Sequence, residues 1–245
     1  MLFRSKNPNI IFADANLDAA IDNAVTAGYL HSGQVCSAGT RLIVEKSIHD
    51  QVVNEIVRRA KAIKLGGPES TDAETGPLIS ESHLKKVEEY VAKGIAEGAK
   101  LLVGGSRLTD GDFAKGNFFP PTLLDDCNTK MSCVQDESFG PIITVETFEN
   151  EDEAIQLAND TIYGLSGAVW SGDTEKARRV SRALRHGTVW VNDYGPYKPE
   201  AEWGGFKASG IGRELGEHGL QEFLESKHIW TNNKPGRSGW FKDPR

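Results

Sequence analysis

Hydrophobic and polar positions along this chain fall into blocks whose period switches repeatedly between that of a strand and that of a helix. Asn7 to Phe12 reads as a short strand, with Ile10 and Ile11 as its apolar content. The next block predicts a helix from about Leu17 to His31, with Asn16 as N-cap and Ala20, Ile21, Ala24 and Val25 on one stripe. Leu42-Ile43-Val44 predicts a strand beginning at Arg41. Val52, Val53, Ile56, Val57, Ala60 and Ile63 then recur at helical spacing, and Gly66-Gly67-Pro68 stops that helix. Ser80 stands where it can cap another, whose stripe is Leu84, Val87, Val91 and Ile95, before a strand at Leu101-Leu102-Val103.

A Gly/Pro-rich excursion, Gly104 to Pro121, separates this series from a second one. Ile142 to Phe148 is strand-like, and Asn150 opens a helix through Ala154, Ile155 and Ala158. Ser166 to Trp170 is the next strand. Asp173 caps a helix carrying Ala177, Val180 and Leu184, which ends at Gly187, and Thr188 to Val191 forms the following strand. Strands alternating with helices predict an α/β fold, a mostly parallel sheet flanked by helices on both faces. Beyond Gly212 the pattern predicts a helix from Leu215 to Leu224 and a short strand at Lys227-His228-Ile229-Trp230.

Composition narrows the function classes. The chain is 38% hydrophobic and 26% charged, as soluble globular proteins are. A net charge of -7 disfavours nucleic acid and anionic membrane as partners. No apolar run is long enough to span a bilayer, and the N-terminus lacks the apolar core of a signal peptide. Cys36, Cys127 and Cys133 are too few and too irregular for a disulfide framework, so a reducing, cytoplasmic location is expected. Cys127 and Cys133 lack partners at metal-site spacing and read as structural, and no metal is expected.

The candidate chemistry centres on Gly33-Gln34-Val35-Cys36-Ser37-Ala38-Gly39-Thr40-Arg41. A cysteine after a helical pattern, among small residues, is a plausible nucleophile. Nearby backbone N–H groups can lower a thiol's pKa and face a developing oxyanion. By itself, a single cysteine reads first as a buried small hydrophobe. Gly210-Ile211-Gly212-Arg213-Glu214-Leu215-Gly216 imitates a dinucleotide fingerprint, but its last glycine is one position late and no hydrophobic strand precedes it.

From about Lys6 to the C-terminus the chain resembles the NAD(P)-dependent aldehyde dehydrogenases, most closely their betaine-aldehyde branch. Three motifs in order carry the resemblance: Gly33, Gln34 and Cys36 of G-Q-x-C; Glu137-Ser138-Phe139-Gly140-Pro141 of E-x-F-G-P; and Trp203-Gly204-Gly205-Phe206-Lys207 through Ser209-Gly210-Ile211-Gly212-Arg213-Glu214. The resemblance implies a catalytic domain over 1–211 and a C-terminal helix and oligomerisation strand over 212–245. It also implies that the dinucleotide-binding domain of the family's N-terminal half is absent. Cys36 would attack an aldehyde to give a thiohemiacetal, hydride would pass to NAD (or NADP), and water would release the acid. Glu137 would hold the nicotinamide ribose, and Phe139 would flank the ring. Glu214 would relay protons or form an ion pair. Trp203, with Tyr194 and Tyr197, would cage a trimethylammonium head. Lys6-Asn7-Pro8 matches the family's E-L-G-G-K-N-P segment, but Leu2 occupies the place of its general base. The implied partners are a small aldehyde and further copies of the chain. Two alternatives stay open: a non-catalytic association module, and a cysteine hydrolase or acyltransferase pairing Cys36 with a histidine such as His31.

Overall fold

The computed structural model describes residues 4–241. Seven strands form one sheet: β1 (Pro8–Ile11), β2 (Arg41–Glu45), β3 (Lys100–Val103), β4 (Thr122–Asp125), β5 (Ile142–Phe148), β6 (Ser166–Trp170) and β7 (Thr188–Val191), in the order β3-β4-β5-β2-β1-β6-β7. Every pairing is parallel except that of β3 with β4. Ile10 of β1 lies between Ile43 of β2 and Val169 of β6. The central strands are buried on both faces, which is why they read as continuous apolar runs rather than as an alternation.

Helices α1 (Leu17–Tyr29) and α2 (His49–Ala62) cover one face. There Ala20, Ala24, Val52 and Ile56 pack on Ile11, Leu42, Val44 and Val145. The other face is covered by α3 (Glu81–Ala96), α5 (Glu151–Asn159) and α6 (Thr174–Ala183), with the single-turn α4 (Ser132–Gln135) beside α3. All four expected caps form. Side-chain oxygens of Asn16, Ser80, Asn150 and Asp173 accept from Ala19, His83, Glu153 and Glu175/Lys176 backbone N–H groups.

The structure departs from the expected elements at four places. The first helix stops at Tyr29, because His31 (φ 52°), Ser32 (φ 56°) and Gly33 (φ 67°) are successively left-handed and turn the chain toward Cys36. Residues 122–125, to which the pattern assigned no element, form β4. The C-terminal helix α7 spans only Gly216–Gln221. Lys227 to Trp230 is not a strand: the segment is exposed and has no strand beside it among the described residues to supply hydrogen bonds. Among the described residues no helix is long and apolar enough to cross a membrane.

Candidate active site

The candidate chemistry gathers at the start of the parallel strands, not at the carboxyl ends where open α/β sheets usually bind ligands. Ser5 and Asn7 lead into β1, the Cys36 loop into β2, and Glu137 and Phe139 into β5. Asn7 organises them. Its amide nitrogen donates to the carbonyls of Cys36 (2.9 Å) and Ala38 (3.0 Å), while its Oδ1 accepts from Ser166 N–H (3.1 Å). Ser5 Oγ also donates to the Cys36 carbonyl, and Ser5 N–H donates to Glu137 Oε1 at 2.9 Å. The sequence reading used Lys6-Asn7-Pro8 only as a remnant of a motif. The amide of Asn7 is the connection it missed, and a lone buried asparagine leaves no periodic signal.

Gly33 joins the first motif to the second. A Cβ there would lie 2.1 Å from the Gly140 carbonyl oxygen, so only glycine allows the Cys36 loop to close on the Phe139-Gly140 turn. Gln34 anchors the same loop, its Oε1 accepting from Ile79 N–H at 2.9 Å.

Cys36 is half-buried, and the N–H groups of Cys36 and Ser37 lie against its sulfur. Their influence is not the larger one: burial pushes the Cys36 thiol above its ordinary range, and the Glu137 carboxylate adds to the rise. Cys36 packs against a cluster that includes Trp190 and Trp203. Four rings form one wall: centroids lie 4.8 Å apart for Trp190 and Tyr194, 4.7 Å for Tyr197 and Trp203, and 6.3 Å for Trp190 and Trp203. Tyr194 and Tyr197 hydroxyls donate to the Ser37 carbonyl (2.7 Å) and Ser37 Oγ (2.6 Å), fixing the wall to the cysteine loop. Trp190 was not foreseen, because a tryptophan in a strand pattern reads as core and the pattern does not say which face meets Cys36.

Glu137 and Phe139 line a cleft of about 670 Å³ with Arg4, His83, Lys86 and Tyr90. Burial raises the Glu137 carboxyl above the usual carboxylate range, against the pull of Ser5 N–H, Lys86 and Arg4. Phe139 is held at φ 51°, with its carbonyl accepting from His83 Nε2 at 2.7 Å. Glu214 is different. Its carboxylate is exposed and pairs with no charged group among the described residues, whereas its backbone exchanges two hydrogen bonds with Trp203 (2.6 and 2.7 Å). The structure therefore gives Glu214 a main-chain part in placing Trp203. His31 is exposed, and no hydrogen bond joins its ring to Cys36. The described residues contain no group of side chains able to hold a metal.

Cys36 should be the first of the three thiols to react with limiting iodoacetamide, since Cys127 and Cys133 are buried from so bulky a reagent. Because its thiol is raised, the labelling rate should keep climbing with pH beyond the range of a free cysteine. Peptide mass spectrometry across a pH series reads both, and earlier labelling of Cys127 or Cys133 would contradict the assignment.

Residues 2–229 match the family model described as the aldehyde dehydrogenase family. The chain is 57% identical over 236 residues to a betaine aldehyde dehydrogenase of Bacillus subtilis, covering 96% of this chain and 48% of that protein. It is 42% identical over 239 residues to a peroxisomal aminoaldehyde dehydrogenase 2 of Pisum sativum, covering 98% and 47%. A crystal structure of Staphylococcus aureus betaine aldehyde dehydrogenase in complex with NAD+ superposes with a TM-score of 0.95 at 53% identity, over 98% of this chain and 48% of that one. The chain thus spans about half the length of the relatives it matches.

Proposed function

The chain belongs to the aldehyde dehydrogenase family, and on that premise we propose that it carries the cysteine half of a site that oxidises an aldehyde to its acid with NAD. The preferred substrate class is a small aldehyde bearing a quaternary ammonium group, such as betaine aldehyde. The observation that carries this reading is the wall of Trp190, Tyr194, Tyr197 and Trp203 beside Cys36. A desolvated cation over such rings gains ~1–2 kcal/mol that a neutral aldehyde does not.

In this reading the Cys36 thiolate attacks the carbonyl carbon, forming a C–S bond and an oxyanion that the Cys36 N–H stabilises. Asn7 and Ser5, bonded to the Cys36 carbonyl, hold that N–H in place. Glu137 and Phe139 suit the nicotinamide-ribose end of the cofactor: Glu137 Oε2 has no hydrogen-bond partner among the described residues, and both residues line the cleft. When bound, NAD accepts the hydride. We take 1–211 as the catalytic domain and 212–245 as the segment that joins copies of the chain.

Betaine aldehyde should protect Cys36 from iodoacetamide, and Trp203→Ala should weaken that protection about tenfold, the equivalent of the cation–π gain. Equal protection by betaine aldehyde and a neutral aldehyde of the same size would reject the quaternary-ammonium preference. No protection by any aldehyde would reject Cys36 as the nucleophile.

The exposed Phe223, Ile229, Trp230, Trp240 and Phe241 support self-association. Light scattering at tens of micromolar should give a mass above that of one chain, and removal of residues 222–245 should lower it. A strictly monomeric mass would count against 212–245 as an association segment.

A further inference from the structure

Where the family's E-L-G-G-K-N-P segment carries two glycines, this chain carries Arg4 and Ser5. Ser5 brings a hydroxyl to a place that the motif leaves bare, and the fold encloses it, at 6% exposure. Its two polar groups face two different motifs. The N–H donates to Glu137 Oε1 at 2.9 Å, and Oγ donates to the Cys36 carbonyl. The Asn7 amide completes the set, donating to Ser5 Oγ at 3.1 Å and to the same Cys36 carbonyl at 2.9 Å. One serine thus spans from the carboxylate of the cleft to the nucleophile loop.

The Cys36 carbonyl belongs to the planar peptide that also carries the Ser37 N–H. That peptide is trans, so the two groups point in opposite directions. Two donors on the carbonyl therefore fix where the Ser37 N–H points. They also draw electron density toward the oxygen, which makes that N–H a stronger donor. Among the described residues, neither the Cys36 nor the Ser37 N–H donates to an oxygen. The sulfur of Cys36 is left as the group they serve, and there they favour the thiolate while burial opposes it. A thiolate stabilised by backbone N–H groups responds to how firmly their peptide is aimed.

We propose that Ser5 is a positioning residue for the nucleophile: by donating to the Cys36 carbonyl it turns and polarises the Cys36–Ser37 peptide, so that the Ser37 N–H serves the sulfur, while its own N–H moors it to Glu137. This rests on the reading of Cys36 as the nucleophile and names a residue that tunes it. Asn7 spreads its amide over the Cys36 and Ala38 carbonyls and Ser5 Oγ, and so shapes the loop as a whole. The Ser5 hydroxyl donates to the Cys36 carbonyl alone. Removing it separates the tuning of the sulfur from the shape of the loop.

The test compares the unsubstituted 245-residue chain with Ser5→Ala and Ser5→Gly, which keep the N–H facing Glu137 and remove the hydroxyl. Iodoacetamide labelling of Cys36 is followed by peptide mass spectrometry over a pH series, with the buried Cys127 and Cys133 as reporters of loosening. Without the hydroxyl, labelling at a fixed pH below the midpoint should slow about threefold. One pKa unit costs about tenfold in thiolate, and the more basic thiolate recovers about threefold of that as a better nucleophile. The alkaline plateau should accordingly rise about threefold, with Cys127 and Cys133 still unlabelled. A hydroxyl that only packs the loop gives the opposite result near neutral pH, because its loss frees Cys36 to label faster. Faster labelling at every pH, an unchanged profile, or labelling of Cys127 and Cys133 in both variants would overturn the inference. If one variant does not fold, the other carries the test. Failure of the underlying reading shows separately: no aldehyde would protect Cys36 in the unsubstituted chain, and the role of Ser5 would fall with it.

Discussion

Assayed by itself with betaine aldehyde and NAD, the 245-residue chain should form NADH at least about four orders of magnitude more slowly than an enzyme whose cysteine has two oxyanion donors and a positioned base. Around Cys36 the donors that reach the sulfur are backbone N–H groups. The side-chain amides of Asn7 and Gln34 are committed elsewhere: that of Asn7 to the Cys36 and Ala38 carbonyls, that of Gln34 to the His31 and Pro77 carbonyls. The carboxylate whose charge Cys36 feels is Glu137, and it is held by Ser5 and turned toward the cleft. Leu2, at the position of the family's base, lies outside the described residues and carries no group that can take a proton. Losing one oxyanion donor costs ~10²–10³ in rate, and losing a positioned base costs ~10²–10⁴. Absorbance of NADH at high protein concentration, with Cys36→Ala as the blank, measures the residue of activity. Ordinary turnover that vanishes in Cys36→Ala would mean that another group serves as base, and the roles given above would be wrong.

Arg41→Met should destabilise the fold by ~3–5 kcal/mol, the usual cost of removing one member of a buried ion pair. Arg41 is 0% exposed and Glu146 2%, and the guanidinium meets the carboxylate through two nitrogens, Nη2 reaching Oε1 at 3.0 Å. Without Arg41 the Glu146 carboxylate would be left buried and uncompensated at the centre of the sheet. Arg41 opens β2 and its N–H donates to the Asn7 carbonyl at 3.2 Å, so the damage should reach the loop that carries Cys36. The pair is not a stability optimum, since Arg41 Nη1 is buried without a hydrogen-bond partner. The double variant Arg41→Met/Glu146→Leu should therefore recover most of the loss. Urea denaturation read by tryptophan fluorescence compares the three chains. A single variant costing under about 1 kcal/mol would show that water or a rearranged neighbour compensates Glu146.

Much of the site was legible because its motifs are compact. Cys36, Glu137, Phe139 and Trp203 were named from short runs, and the structure brings Cys36 and Trp203 into one cluster and Glu137 and Phe139 into one cleft. Their partners were not legible. Asn7 meets Cys36 across 29 positions and Ser166 across 159, and Tyr194 meets Ser37 across 157. Hydrogen bonds over such spans leave no mark on local spacing.

The sequence by itself determined the alternation of strands and helices, the four capped helix starts and the place of the Cys36 loop between the first helix and the second strand. Each follows from side-chain period, from a cap's own hydrogen bond or from a run of adjacent residues, all of which act within a few positions. Tertiary structure decided the rest. It made a strand of Thr122–Asp125, whose neighbours β3 and β5 supply the hydrogen bonds that four residues cannot supply themselves. It denied one to Lys227 through Trp230, which have no strand beside them among the described residues. It ended α1 at Tyr29 by packing Gly33 onto the Gly140 carbonyl, and it raised the Cys36 thiol by burying it. Strand pairing and desolvation depend on what the whole fold places next to a group, and the local pattern of a chain does not contain that.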